Sequence, residues 1–252
     1  MSADPILQTQ DVEKKFGSIL AVDGVSLDFY RDEIVGIIGP NGAGKTTYIN
    51  LISGALPLTD GRVLFKGEDI SSLKQYKRVQ RGLVRSFQIP QIYDELTLFE
   101  NIQSSVISRK RENNRMFTPI SRDSASIEET ERLIETFNLG DHAEDHTEHL
   151  PHGVRKILDV AMSFALEPDI MFLDEPTSGV GSKEKHAVME TITEAATEQG
   201  IGLVFIEHDM ELVRKYSDRI VALHEGSILK DDSPEAVFGS EQVNEFILEG
   251  GV

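Results

Sequence analysis

Cysteine is absent from this sequence, and long apolar runs are absent as well. Without cysteine among its 252 residues, the chain has no disulfide bonds, no thiolate metal ligands and no cysteine nucleophile. Its apolar runs, such as that at 34–38, are far shorter than the roughly 20 residues of a membrane-spanning helix. The first residues lack the basic and apolar stretches of a secretory signal, so we expect a soluble cytosolic protein.

Positive charge is also scarce. Lysine and arginine number 25 against 43 aspartates and glutamates, which gives a formal net charge of −18. Repulsion from phosphates disfavours nucleic acid as a partner. Two interpretations of the acidity stay open, namely adaptation to a salt-rich cytoplasm and an ordinary acidic surface. One basic stripe at near-helical spacing is predicted to be a solvated helix face: Lys74, Lys77, Arg78, Arg81 and Arg85.

The order of apolar patterns predicts an α/β protein, because short apolar runs alternate with helical periodicity. Strands are predicted at 7–12, 25–30, 34–38, 170–173, 203–206 and 220–223. Helices are predicted at 45–54, 98–108, 127–138, 154–166, 183–199 and 210–216. No strong strand pattern occurs between about 88 and 149, so this stretch is predicted to be a helical insert.

A glycine-rich segment follows the apolar run 34–38 and matches the phosphate-binding pattern G-x-x-x-x-G-K-[ST]. Its residues are Gly39, Pro40, Asn41, Gly42, Ala43, Gly44, Lys45 and Thr46. Glycines let a polyphosphate approach bare main-chain N–H groups, Lys45 supplies a charge to the phosphates, and Thr46 supplies a magnesium ligand. The following helix, with Thr47 in its first turn, directs its positive end toward the anion.

Two further apolar runs end in polar residues. The run 170–173 is followed by Asp174 and Glu175, which suit a metal ligand and a base that polarises the attacking water. The run 203–206 is followed closely by His208. Because ligands of open α/β sheets collect at the carboxyl ends of the strands, we expect these side chains to share one site.

These motifs, in this order, resemble those of the ATP-binding subunits of ABC transporters over essentially the whole chain. Residues 39–46 resemble the Walker A motif, and 170–175 resemble Walker B with its catalytic glutamate. Gln88 resembles the Q-loop glutamine, and His208 resembles the switch histidine. Phe16 lies where the family usually carries an aromatic residue that stacks on adenine.

The resemblance implies a P-loop NTPase fold of the ABC ATPase type. Such a fold has a RecA-like mixed-sheet core, an N-terminal antiparallel β subdomain and an inserted α-helical subdomain. The chain would then form one ABC ATPase domain over 1–252. Its catalytic core would comprise about 1–88 and 160–252, and its helical subdomain about 89–159.

The resemblance also implies hydrolysis of ATP with Mg²⁺, the metal being held by Thr46, Gln88 and Asp174. Glu175 would act as base and His208 would orient the γ-phosphate and water. Two such subunits, identical or different, would close head to tail and move transmembrane permease subunits at the inner face of the cell membrane. An extracytoplasmic solute-binding protein would take part indirectly.

The signature segment departs from the family pattern. The usual Leu-Ser-Gly-Gly-Gln corresponds here to residues 150–154, in which Pro151 replaces the serine that donates to the γ-phosphate. Gly153 is retained and is expected to contact the partner's nucleotide. Two interpretations stay open: a weakened signature in an asymmetric dimer, and full compensation by His152 and main-chain amides.

Within the family, the chain resembles the branched-chain amino acid importers and the related urea importers. The features that carry this resemblance are the long insert after Gln88 and the segments 99–101, 207–210 and 223–226. We therefore expect an ATPase that powers import of a small solute. The alternative is a non-transport ABC ATPase of a soluble assembly complex, of the iron–sulfur assembly type. A GTPase is disfavoured because the guanine-reading Asn-Lys-x-Asp pattern does not occur.

Four histidines precede or enter the signature segment at spacings of four, three and three: His142, His146, His149 and His152. On a continuous helix they would share one face and resemble a zinc site. Gly140 and Pro151 argue against such a helix, so a solvated polar loop is the preferred interpretation.

Overall fold

A computed structural model describes residues 4–86, 92–112 and 124–249. The chain divides into two units. The first comprises Met1–Arg85, Asp169–Glu175 and Ala196–Val252, and the second comprises Ser86–Pro168 and Pro176–Ala195. The predicted boundaries at about 88 and 159 stay a prediction. In the described ranges, no helix combines the length and apolar character needed to cross a membrane.

The described residues form the strands and helices of an α/β fold. The strands are β1 Leu7–Phe16, β2 Ile19–Phe29, β3 Ile34–Ile38, β4 Asp60–Phe65, β5 Glu68–Asp69, β6 Leu83–Arg85, β7 Ile170–Asp174, β8 Gly202–Ile206, β9 Arg219–His224 and β10 Ser227–Asp232. The helices are α1 Lys45–Ser53, α2 Gln75–Val79, α3 Leu98–Glu112, α4 Ser124–Thr136, α5 His152–Phe164, α6 Ser182–Glu198, α7 Met210–Tyr216, α8 Pro234–Phe238 and α9 Glu241–Val243. Short 3₁₀ turns lie at Gly140–His142 and Thr147–His149, and a π-helical turn lies at Asn244–Glu249.

The first unit contains two sheets. One has the order β2-β1-β4-β5 and is antiparallel throughout. The other has the order β10-β9-β3-β8-β7-β6, in which β9, β3, β8, β7 and β6 are parallel and β10 pairs with β9 as an antiparallel hairpin. This arrangement confirms the predicted mixed sheet with an N-terminal antiparallel part.

Strand register sets the position of the residues predicted to do chemistry. Ile206 of β8 pairs with Ile37 of β3 on one side and with Asp174 of β7 on the other. Residues that follow these three strands therefore leave the sheet at the same edge.

The core of the first unit lies between its two sheets and the helix α1. Phe29 of β2 packs edge-to-face on Phe172 of β7, with ring centroids 6.0 Å apart. Tyr48 of α1 is fully buried, and its hydroxyl lies 2.8 Å from the hydroxyl of Thr9 on β1. Burial of these aromatic rings fixes α1, and hence the loop before it, against both sheets.

The second unit is predominantly helical where it is described. Phe137, just after α4, packs edge-to-face on Phe164 of α5 at 4.9 Å between centroids. Arg109 of α3 donates to Glu129 of α4 at 2.6 Å and pairs with Glu167 at 3.0 Å. The predicted helical character of the insert is thus observed, and no strand is assigned in its described parts.

Two helices begin earlier than predicted. Helix α4 begins at Ser124 rather than 127, and Ser126 is buried inside it. Helix α5 begins at His152 rather than 154, since Pro151 occupies its N-cap position and the helix accommodates Gly153.

The predicted basic helix face is also wrong, because α2 contains only Lys77 and Arg78 of its five residues, and Arg78 is not solvated. Arg78 is fully buried, and its guanidinium donates to main-chain carbonyls of Leu51, Ile52, Ser71 and Leu73. Two of these carbonyls belong to the last turn of α1, where a cation also opposes the negative end of the helix dipole. Burial lowers the pKa of Arg78 to about 10. Arg81 lies in the turn after α2, and Arg85 lies on β6.

Candidate active site

The loop between β3 and α1 owes two of its glycines to close packing. A Cβ atom on Gly39 would lie 2.3 Å from the carbonyl oxygen of Leu223, and one on Gly44 would lie 2.4 Å from that of Ala21. The phosphate-binding pattern requires glycine at these positions so that a phosphate can approach the main chain. The structure adds a second reason, because neighbouring main chain leaves no space for a side chain at either position.

The first turn of α1 has the features of an anion-binding site. Gly44 occupies the N-cap position with a left-handed backbone, and no side chain caps the helix there. Main-chain N–H groups of the first turn, which includes Thr46 and Thr47, therefore lack the usual capping oxygen. A phosphate satisfies such groups and is favoured by the helix dipole.

Lys45 is the buried cation of this loop. Its ammonium donates to the carbonyl oxygens of Gly39 at 2.6 Å and Pro40 at 3.0 Å. Burial lowers the pKa of Lys45, and the negative charges of Glu175 and Asp174 oppose that change. The ammonium group of Lys45 therefore lies inside the loop and donates to carbonyl oxygens, which are weaker acceptors than a phosphate.

Asp174 ends β7 as a buried carboxylate with one oxygen engaged. Its Oδ2 accepts from Nη2 of Arg85 at 3.1 Å. Its Oδ1 is buried and has no hydrogen-bond partner in the described part of the chain. A buried carboxylate oxygen without a hydrogen-bond donor reduces the stability of the folded state. This atom therefore fits the role of a ligand to a hard cation.

Glu175 and His208 meet at the same edge of the sheet. Glu175 has a left-handed backbone with φ of 52°, and its N–H donates to the carbonyl oxygen of Ile206 at 3.0 Å. This conformation turns its side chain out of the strand direction. Nε2 of His208 lies 3.1 Å from Oε1 of Glu175.

A single open cleft brings these groups together. It is lined by Ala21, residues 41–47, Glu175, Ile206 and His208. The cleft thus combines a helix N-terminus, a buried lysine, a carboxylate and an imidazole. Phosphate binding followed by activation of a water molecule is the chemistry that such a combination supports.

Comparison with known proteins agrees with this geometry. The family model described as "ABC transporter" matches residues 22–178, which is more than half of the chain. The chain belongs to the ABC transporter family. As in that family's ATP-binding domains generally, the nucleotide is ATP and the domain is an ATPase.

The relatives within the ABC family carry transport names. BraF of Pseudomonas aeruginosa, a high-affinity branched-chain amino acid transport ATP-binding protein, is 34% identical over 92% of this chain and 93% of its own length. LivG of Escherichia coli, with the same description, is 32% identical over 96% of each chain. A crystal structure of an ABC transporter's ATP-binding cassette in its ADP conformation is 28% identical, with a TM-score of 0.85 over 97% of this chain and 98% of that one.

Several predicted ABC site residues lie outside this cleft. Phe16 ends β1, is 47% exposed and has the ammonium of Lys14 5.2 Å from its ring centre. It is not among the residues that line the cleft, although Ala21 of the same hairpin is. Gln88 lies outside the described residues.

The ABC signature segment lies in the second unit. Gly153 is buried in the first turn of α5, and the exposed His152 precedes it. His152 packs on the loop after Walker B, since a Cβ atom on Gly179 would lie 2.5 Å from its Nε2. Lys156 also reaches this loop and donates to the hydroxyl of Ser178 at 3.1 Å. Two contacts therefore hold the start of α5 against residues 178–179.

The histidines near the signature make separate local contacts. His142 lies 2.8 Å from Asp145, and Nδ1 of His146 lies 3.1 Å from the carbonyl oxygen of Glu95. Within the described residues, no group of three or more histidine, aspartate and glutamate side chains is arranged to hold a metal ion.

Arg85 is the site residue that sequence reasoning missed. The spacing of basic residues predicts that Arg85 lies on a helix face, but it ends β6, and β6 pairs with β7, which ends in Asp174. The pattern Leu83-Val84-Arg85 is a short apolar run that ends in a charged residue, as the runs before Asp174 and His208 do. A run of two apolar residues is too short to predict a strand.

Proposed function

We propose that this chain is the ATP-hydrolysing subunit of an ABC importer for branched-chain amino acids or a related small solute. The observation that carries the chemistry is the shared cleft of Lys45, Glu175 and His208. The similarity to BraF and LivG, which are branched-chain amino acid transport ATP-binding proteins, supports the choice of solute, since each aligns with over nine tenths of this chain.

In the proposed reaction, main-chain N–H groups of the loop and Lys45 hold the β- and γ-phosphates of ATP. Glu175 accepts a proton from a water molecule whose oxygen attacks the γ-phosphorus, while the bond to the ADP oxygen breaks. His208, 3.1 Å from Glu175, orients that carboxylate and contacts the γ-phosphate. Low exposure of Lys45 keeps its charge from being screened by water.

Mg²⁺ fits the donor set beside this cleft. Thr46 and Asp174 would hold the ion, with Gln88 as a further ligand, and the orphaned Oδ1 of Asp174 supports this assignment. When bound, the ion neutralises charge that develops on the phosphate oxygens.

The proposal also includes the transporter complex in which this chain works. A second ABC ATPase subunit, identical or different, pairs with this chain so that each P-loop faces the other's signature, with Gly153 contacting the partner's nucleotide. Closure of the pair moves transmembrane permease subunits, which hold this chain on the inner face of the cell membrane. An extracytoplasmic solute-binding protein delivers the solute to those permeases.

Reconstitution with the permeases tests the transport assignment. The chain is co-expressed with its candidate permeases and receptor, and ATP-driven uptake of labelled leucine is measured in proteoliposomes. We expect co-purification with integral membrane subunits and uptake that disappears when Glu175→Gln replaces the wild-type chain. Co-purification with soluble scaffold proteins, together with absence of uptake for leucine, isoleucine, valine and urea, would instead favour an assembly ATPase.

A further inference from the structure

Arg85 connects the phosphate-binding helix to the acid of Walker B. Its Nη2 donates to Oδ2 of Asp174 at 3.1 Å, and its Nη1 donates to the side-chain oxygen of Asn50 on α1. The side chain of Arg85 is 11% exposed and that of Asp174 is 1% exposed. The guanidinium is therefore held in a fixed place between two elements that form the cleft.

The ion pair of Arg85 and Asp174 leaves one polar atom of each side chain without a hydrogen bond. Nε of Arg85 and Oδ1 of Asp174 are both buried and have no partner among the residues that the structure describes. A pair selected for stability alone would satisfy these atoms, because each unsatisfied polar group in a low dielectric is costly. The geometry engages one carboxylate oxygen and leaves the other available.

The charges around Asp174 balance. Two carboxylates, Asp174 and Glu175, face two cations, Lys45 and Arg85. The ammonium of Lys45 donates to main-chain carbonyls of the loop, whereas Arg85 forms an ion pair with Asp174. Removal of Arg85 would leave a net negative charge at a site shielded from water, where unit charges interact strongly.

We propose that Arg85 is a positioning residue that acts as the resident counter-ion of Asp174. It orients the carboxylate so that Oδ1 is free for a metal ion, and it prevents the nucleotide-free cleft from binding a divalent cation by itself. The metal then enters with the nucleotide, whose phosphates supply the additional negative charge. This inference rests on the metal role proposed above for Asp174.

Binding of Mn²⁺ to the nucleotide-free protein, followed by electron paramagnetic resonance, tests the proposal. We expect weak binding by the wild type and binding about tenfold tighter or more by Arg85→Met. The gain should vanish in the double variant Arg85→Met/Asp174→Asn. Arg85→Lys, which keeps the charge, should bind as weakly as the wild type.

Two controls separate counter-ion action from packing. Arg81→Met removes an exposed arginine that pairs with Glu68, and it should leave Mn²⁺ binding unchanged. Arg85→Gln keeps a side chain that can donate to Asp174 and serves as the neutral variant if Arg85→Met does not fold. A purely structural role would lower the melting temperature of the neutral variants without tightening Mn²⁺ binding, and that result would overturn the proposal.

Mn²⁺ binding in the presence of a non-hydrolysable ATP analogue distinguishes this inference from the proposed function. Nucleotide-dependent binding that is lost in Asp174→Asn supports the metal role of Asp174, whatever the Arg85 variants do. Nucleotide-dependent binding that survives in Asp174→Asn contradicts that role and the counter-ion proposal with it.

Discussion

The imidazole of His208 and the carboxylate of Glu175 lie 3.1 Å apart at the carboxyl ends of neighbouring parallel strands. His208 follows β8 by two residues and Glu175 follows β7 directly. The contact joins two side chains of the same chain, so the proposed base is oriented by a second protein group.

His208→Ala should therefore impair turnover more than nucleotide binding. Loss of the orienting imidazole should lower kcat by about a hundredfold, since this is the usual scale for positioned acid–base groups. The affinity for an ATP analogue should change little because the phosphate-binding loop is intact. Steady-state hydrolysis and equilibrium binding measure the two effects.

The matched control is His142→Ala, which removes a histidine of the second unit that contacts Asp145. Turnover by this control should stay at the wild-type level. Equal losses of kcat in the two variants would show that the effect is not specific to the contact with Glu175.

Much of the site could be predicted from the sequence because its parts are contiguous or terminate strands. The loop at 39–46 is one uninterrupted pattern, and the strand at 34–38 before it is observed with the predicted bounds. Glu175 directly follows β7, whose first four residues are apolar, and His208 lies two residues after the apolar strand β8. Parallel pairing brings the ends of these strands to one edge of the sheet. Local patterns and the general rules of α/β sheets were sufficient here.

The basic residues could not be placed in the same way. Arg78 and Arg85 have the same spacing in the sequence as exposed neighbours such as Arg81. In the structure, however, Arg78 lies among main-chain carbonyl groups and Arg85 lies beside Asp174. Leu51, one of the acceptors of Arg78, lies 27 residues away in the chain, and Asp174 lies 89 residues from Arg85. Burial of a cation depends on these distant partners, and no periodicity in the local sequence encodes them.

Arg78 should be among the most stabilising side chains of the first unit. Arg78→Met removes the donor to the carbonyls of Leu51 and Ile52 at the end of α1. Buried carbonyls without donors should reduce the free energy of unfolding by about 2–5 kcal/mol. Urea unfolding, with circular dichroism as the probe, measures this change.

Arg81→Met is the appropriate comparison for Arg78→Met, since Arg81 makes an exposed ion pair with Glu68. Exposed pairs contribute about 0–1 kcal/mol, so this variant should unfold close to the wild-type midpoint. Similar midpoints for the two variants would mean that the carbonyl contacts of Arg78 contribute little.

Asp159 should make stability depend on pH. Burial raises the pKa of this carboxyl group on α5 to about 6, although a hydrogen bond from Ser86 at 3.2 Å opposes the rise. The folded state thus binds a proton more tightly than the unfolded state, whose value is 3.8. Linkage then requires this group's contribution to stability to fall as pH rises from about 4 to about 6 and to stay low above that.

Asp159→Asn should remove that dependence. The variant should be more stable than the wild type at pH 8, and the difference should shrink by about 2 kcal/mol at pH 4. Urea midpoints of both proteins at several pH values give the comparison. A difference that is constant across this range would show that Asp159 is not protonated preferentially in the folded state.

The rate of phosphate release by Glu175→Gln tests the proposed hydrolysis most directly, because the variant keeps the size of the side chain and removes only its basicity. We predict that kcat falls by about a hundredfold or more while an ATP analogue still binds. Glu235→Gln, at an exposed position on α8, should hydrolyse ATP at the wild-type rate. Undiminished hydrolysis by Glu175→Gln would contradict the assignment of Glu175 as the base.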